Sequence, residues 1–144
     1  MESTEITFFT VLALGILWNM ISSHNENNRP KHLWVIEDSN NDYTFLKMFC
    51  DFSNTVLERH KSADHLFWKF LLKKPDCVIV DYYLDGDVTG DKVVQLCELF
   101  NIPYRLVTGN EQPVDGVEEA KIIRKGTGND WCKQVQLWYD TKFA

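Results

Sequence analysis

The sequence predicts an α/β domain built on a parallel sheet, and three observations carry that reading. From His32 onward, apolar runs of strand length alternate with segments of helical spacing. The run Cys77-Val-Ile-Val80 is apolar throughout, as a central parallel strand must be when helices cover both its faces. The strands end in the acidic pair Glu37-Asp38, then Asp81, Thr108 and Lys125. In a parallel sheet all such ends open onto one edge, where ligands bind, so three carboxylates, a hydroxyl and an ammonium are expected to converge there.

Each element follows from local pattern. Leu33–Ile36 is a short apolar run ending in acid. Asn40–Cys50 places Tyr43, Leu46 and Cys50 near helical spacing. Thr55–Leu57 is a weak second strand. Ser62–Leu72 reads as a helix through Leu66, Phe67, Phe70 and Leu71, with Ser62 as its expected N-cap and Pro75 closing it. Asp85–Gly90, which includes Asp87, is a Gly- and Asp-rich loop; it lacks the spacing of a calcium-binding loop. Lys92–Phe100 is helical, Tyr104–Val107 and Ala120–Ile123 are strands, and Trp131, Val135 and Trp138 mark a final amphipathic helix.

Ahead of this pattern stands a different segment. Residues 6–21, ITFFTVLALGILWNMI, carry no charge and are apolar on all sides. As a helix these 16 residues span about 24 Å, against a hydrocarbon core of ~30 Å. Trp18 suits an interfacial position, and Glu2 and Glu5 before the segment with Arg29 and Lys31 after it would hold the rest of the chain in the cytoplasm. The acidic start and the lack of a small-residue cleavage site argue against a cleaved signal peptide. The segment is expected to be a membrane anchor; docking on another subunit, or a start placed upstream of the true domain, are the alternatives. Residues 22–31 are polar, with a proline, and read as a linker. The expected organisation is a hydrophobic helix at 1–23, a linker at 24–31 and one domain at 32–144.

Bulk properties narrow the function. The chain of 144 residues supports one core, not two. A net charge of -6 argues against nonspecific nucleic-acid binding. Cys50, Cys77, Cys97 and Cys132 form no C-x-x-C pair, so neither a zinc nor a redox motif is indicated, and reduced thiols are the plain reading.

The segments VIEDSNND, CVIVDYYLDG, RLVTGN and IIRKG, in this order, resemble the motifs of a response-regulator receiver domain, the phosphoacceptor module of two-component signalling. The resemblance covers nearly all of the chain from His32. It implies a flavodoxin-like, doubly wound five-stranded parallel sheet. Asp81 resembles the phosphoacceptor, whose carboxylate forms an acyl phosphate. Glu37, Asp38, Asp81 and the backbone carbonyl of Tyr83 would hold Mg²⁺, which prefers oxygen ligands. Lys125 resembles the lysine that pairs with the acceptor, and Thr108 the switch hydroxyl. The implied donors are a sensor histidine kinase or a histidine phosphotransfer protein, the output is protein–protein contact, and catalysis is limited to the domain's own phosphorylation and dephosphorylation. A cytoplasmic domain tethered to the inner face of the membrane is the corresponding location.

Three positions depart from the family pattern. Gly126 replaces the proline that follows the lysine. Ile122 stands where the family has its switch aromatic. The stretch between Thr108 and Lys125 is short and contains Pro113 and Gly116, so the helix between the fourth and fifth strands is expected to be abbreviated or missing. Tyr82 and Tyr83 are bulky beside the acceptor. A receiver-like binding module that acts without phosphate is the alternative. A Mg²⁺-dependent hydrolase with an Asp nucleophile is disfavoured, because its second acid would fall at Tyr83.

Overall fold

The computed structural model describes residues 2–86 and 88–143. The chain separates into two compact units, Met1–Pro30 and Lys31–Ala144. The first is a helix, α1 (Glu2–Asn28), which runs on past the apolar segment into the polar residues that follow it. Every side chain from Thr7 to Ile21 is exposed. Among the described residues no helix is long and apolar enough to cross a membrane. A spanning anchor at residues 6–21 thus finds no support, in keeping with an apolar length of about 24 Å.

The second unit alternates β1 (Lys31–Ile36), α2 (Asn40–Phe49), β2 (Thr55–His60), α3 (Leu66–Leu72), β3 (Cys77–Asp81), α4 (Gly90–Leu99), β4 (Tyr104–Thr108), β5 (Ile122–Arg124) and α5 (Asp130–Phe143). The five strands form one sheet in the order β2-β1-β3-β4-β5, and every neighbouring pair is parallel. This is the predicted α/β sheet. Side chains of alternate strand residues leave on opposite faces, and two apolar clusters result. Trp34, Ile36, Val78, Val80 and Leu106 pack beneath α3 and α4 with Phe70 and Val93. Leu33, Val35, Cys77, Ile79 and Val107 pack beneath α2 and α5 with Leu46, Trp131 and Val135. Helices on both faces are why β3 is buried at all five positions, including Asp81.

Several boundaries move. β2 extends to His60, because its whole length pairs with β1. α3 starts at Leu66 rather than Ser62. Ser62 instead bridges to Asp85, and its hydroxyl accepts from the Asp64 amide at 3.3 Å. His65, in the left-handed region at φ 61°, occupies the cap without a side-chain bond. α4 starts two residues early at Gly90, and β5 lies at Ile122–Arg124 rather than Ala120–Ile123. Between β4 and β5 the only helical piece among the described residues is a three-residue 3-10 turn, Glu119–Lys121, so the expected loss of that helix holds. All four cysteines are free and buried. Asp87, in the loop after Asp81, lies outside the described residues.

Candidate functional site

The turn after β1 carries the acidic pair into place. Ser39 caps α2 by accepting from the Asp42 amide at 3.3 Å, and its own amide donates to Glu37 Oε1 at 2.9 Å. Arg59 of β2 clamps the same turn. Its guanidinium donates to the Glu37 and Asp38 carbonyls at 3.1 Å each, and to Asn40 Oδ1 at 2.8 Å.

Asp81 ends β3 beside this turn. Carboxylate oxygens of Glu37, Asp38 and Asp81 all lie within 4.8 Å of one another. Lys125 comes from the far side of the sheet edge. Its backbone continues the β4–β5 ladder, the amide donating to the Thr108 carbonyl at 2.9 Å. Its ammonium donates to Asp42 Oδ2 at 2.6 Å, Asp81 Oδ2 at 3.1 Å and Glu37 Oε2 at 3.3 Å. It also lies 5.6 Å from the centre of the Trp131 ring.

The electrostatics follow from this crowding. Burial, reinforced by the Asp81 charge, pushes the Glu37 acid up to about 8, against the pull of Lys125. Burial likewise raises Asp81, opposed by Lys125. For Lys125, burial alone would lower the ammonium, but Asp42, Asp81 and Glu37 outweigh it and hold the group charged above the ordinary lysine value. A buried cluster of carboxylates with one ammonium among them carries more negative charge than it can keep without protons or a cation. Hard oxygen donors at this spacing, partly open to solvent at Asp38, suit Mg²⁺.

Thr108 is fully buried at the end of β4, and its hydroxyl accepts from the Asn110 amide at 3.1 Å. Tyr83, two residues past Asp81, exposes its side chain; its ring meets Tyr82 edge-on at 4.9 Å. The structure therefore brings Glu37, Asp38, Asp81 and Lys125 together, with Thr108 adjoining Lys125 through the strand ladder.

Three contributors were not anticipated. Asp42 makes the shortest contact to Lys125. The signal was its position four residues after Asp38, in the first turn of a helix that starts at the site. Arg59 lies at the end of an edge strand, where an arginine ordinarily faces solvent. Gly90 was read as loop. A side chain there would put its Cβ 2.1 Å from the Asp81 carbonyl oxygen, so the start of α4 fits against the Asp81 backbone only as glycine. Gly126, at φ 55°, adopts a left-handed conformation that proline cannot, so the loop after Lys125 takes its own path.

Comparison with solved structures gives the fold. The response regulator PhyR from Brucella abortus superposes with a TM-score of 0.55 at 19% identity, over 83% of this chain and 54% of that one. The signal receiver domain of a Vibrio parahaemolyticus protein described as a Luxo repressor gives 0.61 at 18% identity, over 80% and 90%. SdrG from Pseudomonas melonis Fr1, in its BeF3-activated conformation, gives 0.55 at 15%, over 81% and 99%. The chain thus spans about half the length of PhyR and nearly all of the two others. No family model matches the sequence, and no curated protein does. The fold is that of response-regulator receiver domains.

Proposed function

We propose that Lys31–Ala144 is a phosphoacceptor of two-component signalling, with Asp81 taking a phosphoryl group from a phosphohistidine on a sensor kinase or phosphotransfer protein. The observation that supports it best is the meeting of Asp81 with Glu37 and Asp38 on one side and the Lys125 ammonium on the other. A carboxylate oxygen of Asp81 attacks phosphorus as the histidine N–P bond breaks. The bonding electrons return to the ring nitrogen, leaving an acyl phosphate on Asp81. Glu37, Asp38, Asp81 and the Tyr83 carbonyl would hold Mg²⁺, which when bound neutralises the carboxylates and the transferred charge. Lys125, already paired with Asp81, is within reach of a new phosphoryl oxygen. Thr108 accepts from Asn110, which leaves its O–H proton to donate.

The test is exposure of the protein to acetyl phosphate with and without Mg²⁺, read by intact mass. A Mg²⁺-dependent adduct absent from Asp81→Asn is expected; labelling that persists in that variant moves the acceptor elsewhere.

A second reading, binding without phosphate, draws on the β4–β5 connection, whose one helical piece among the described residues is the 3-10 turn Glu119–Lys121, and on Gly126. Partner affinity that is the same for phosphorylated and unphosphorylated protein would favour it. We further place α1 against the cytoplasmic face of a membrane as a tether, since its residues 7–21 are uncharged and exposed. Tethering would raise the effective concentration of the domain near a membrane-bound kinase.

A further inference from the structure

The outward face of α3 reverses the usual pattern of a surface helix, whose solvent side is polar. Leu66 and Phe70, one turn apart, are buried and fasten the helix to the sheet. On the opposite side, Phe67 with Leu71 and Trp68 with Leu72 align at i,i+4 into a single apolar stripe. Trp68 is 64% exposed and Leu72 86%. Lys69, Lys73 and Lys74 flank the stripe, and no acidic residue occurs from Leu66 to Lys74. Lys69 Nζ reaches His60 Nδ1 at 3.2 Å, and the Lys74 ammonium lies 5.2 Å from the centre of the Phe100 ring. A local excess of positive charge on a chain of net charge -6 is selective for an anionic counterpart.

The exposure of the patch favours a lipid surface over a protein partner. The stripe consists of four large side chains on a seven-residue helix, 42% to 86% exposed. Side chains this exposed need a matching cleft in a protein but enter a deformable headgroup layer without one. Tryptophan and phenylalanine settle at that depth, and lysine stems lie along apolar surface while their ammonium groups reach phosphate. We propose that α3 is a docking surface for anionic phospholipid, with Phe67, Trp68, Leu71 and Leu72 entering the headgroup boundary and Lys73 and Lys74 at the phosphate level. The basic end of α3 leads into β3 at the amino edge of the sheet, opposite the carboxylate edge, so docking leaves Asp81 open. The proposal depends neither on phosphotransfer nor on α1.

The experiment is vesicle flotation of the full chain, using phosphatidylcholine alone and phosphatidylcholine mixed with phosphatidylglycerol. Three chains are compared: wild type, Lys73→Gln/Lys74→Gln and Trp68→Ser/Leu72→Gln. The segment 6–21 is uncharged and common to all three, so differences between them report on α3. The lysine variant is expected to lose roughly fivefold in partitioning to the anionic vesicles per lysine removed, and nothing on the zwitterionic ones. The apolar variant is expected to partition less than wild type to both, the remainder being held by α1. Equal partitioning of all three chains overturns the proposal. So does a Trp68→Ser/Leu72→Gln variant that loses self-association in sedimentation velocity while keeping wild-type vesicle binding, which would make the face a contact between copies.

Discussion

At the residue scale, the site is governed by how much negative charge one buried edge can hold. Glu37 keeps its proton up to about 8 in the absence of a cation, through burial and the neighbouring Asp81. A divalent cation must displace that proton, so binding releases it and gains strength as pH rises. Mg²⁺ affinity, followed by the fluorescence of Trp131 beside Lys125, should therefore climb steadily from pH 6 towards 8, and Glu37→Gln should flatten the climb. Gly90 sets the other constraint. With a Cβ 2.1 Å from the Asp81 carbonyl oxygen, Gly90→Ala cannot be accommodated without moving backbone. Overpacking of this kind costs roughly 3 kcal/mol. Urea unfolding should show that loss, and labelling of Asp81 should slow, because the residue displaced is the proposed acceptor itself.

At the element scale, the connection from β4 to β5 distinguishes this domain. Where a helix would cover the sheet edge, an irregular loop is pinned by Arg124. Its guanidinium donates to the Asn110 and Gln112 carbonyls and pairs with Glu119 at 2.7 Å. A loop without its own hydrogen-bonded helix depends on such side-chain anchors. Arg124→Ala should expose the segment 109–118 to limited proteolysis at least severalfold faster, with global stability reduced by only about 1 kcal/mol. Unchanged cleavage would show that the loop is held by other contacts. The loss of the helix was legible in advance from Pro113, Gly116 and the short spacing. The anchor was not, because nothing in Arg124 as a strand residue indicates that its side chain turns back along the loop. The same distinction explains α3. Its apolar positions were read as helical, but only the packing shows that Leu66 and Phe70 face inward while Phe67, Trp68, Leu71 and Leu72 do not.

At the scale of the whole molecule, the second unit carries its own five-stranded sheet and an apolar cluster on each face. It should fold without the first. A chain lacking residues 1–29 is expected to keep the denaturant midpoint of the full protein to within about 1 kcal/mol in stability; failure to fold would make α1 part of the core. The parallel α/β architecture and the strand-end positions of Glu37, Asp38, Asp81, Thr108 and Lys125 were determined by sequence alone. Periodicity reports which faces are buried, and a parallel sheet necessarily gathers its carboxyl ends on one edge. What only the tertiary structure decided is how those ends are held: Asp42 taking the shortest bond to Lys125, Arg59 clamping the acidic turn from a neighbouring strand, Gly90 lying against Asp81, and an apolar stripe left facing outward on α3. Each of these depends on where a side chain meets an element distant in the chain. Local pattern carries no record of such a meeting until the sheet has brought the two together.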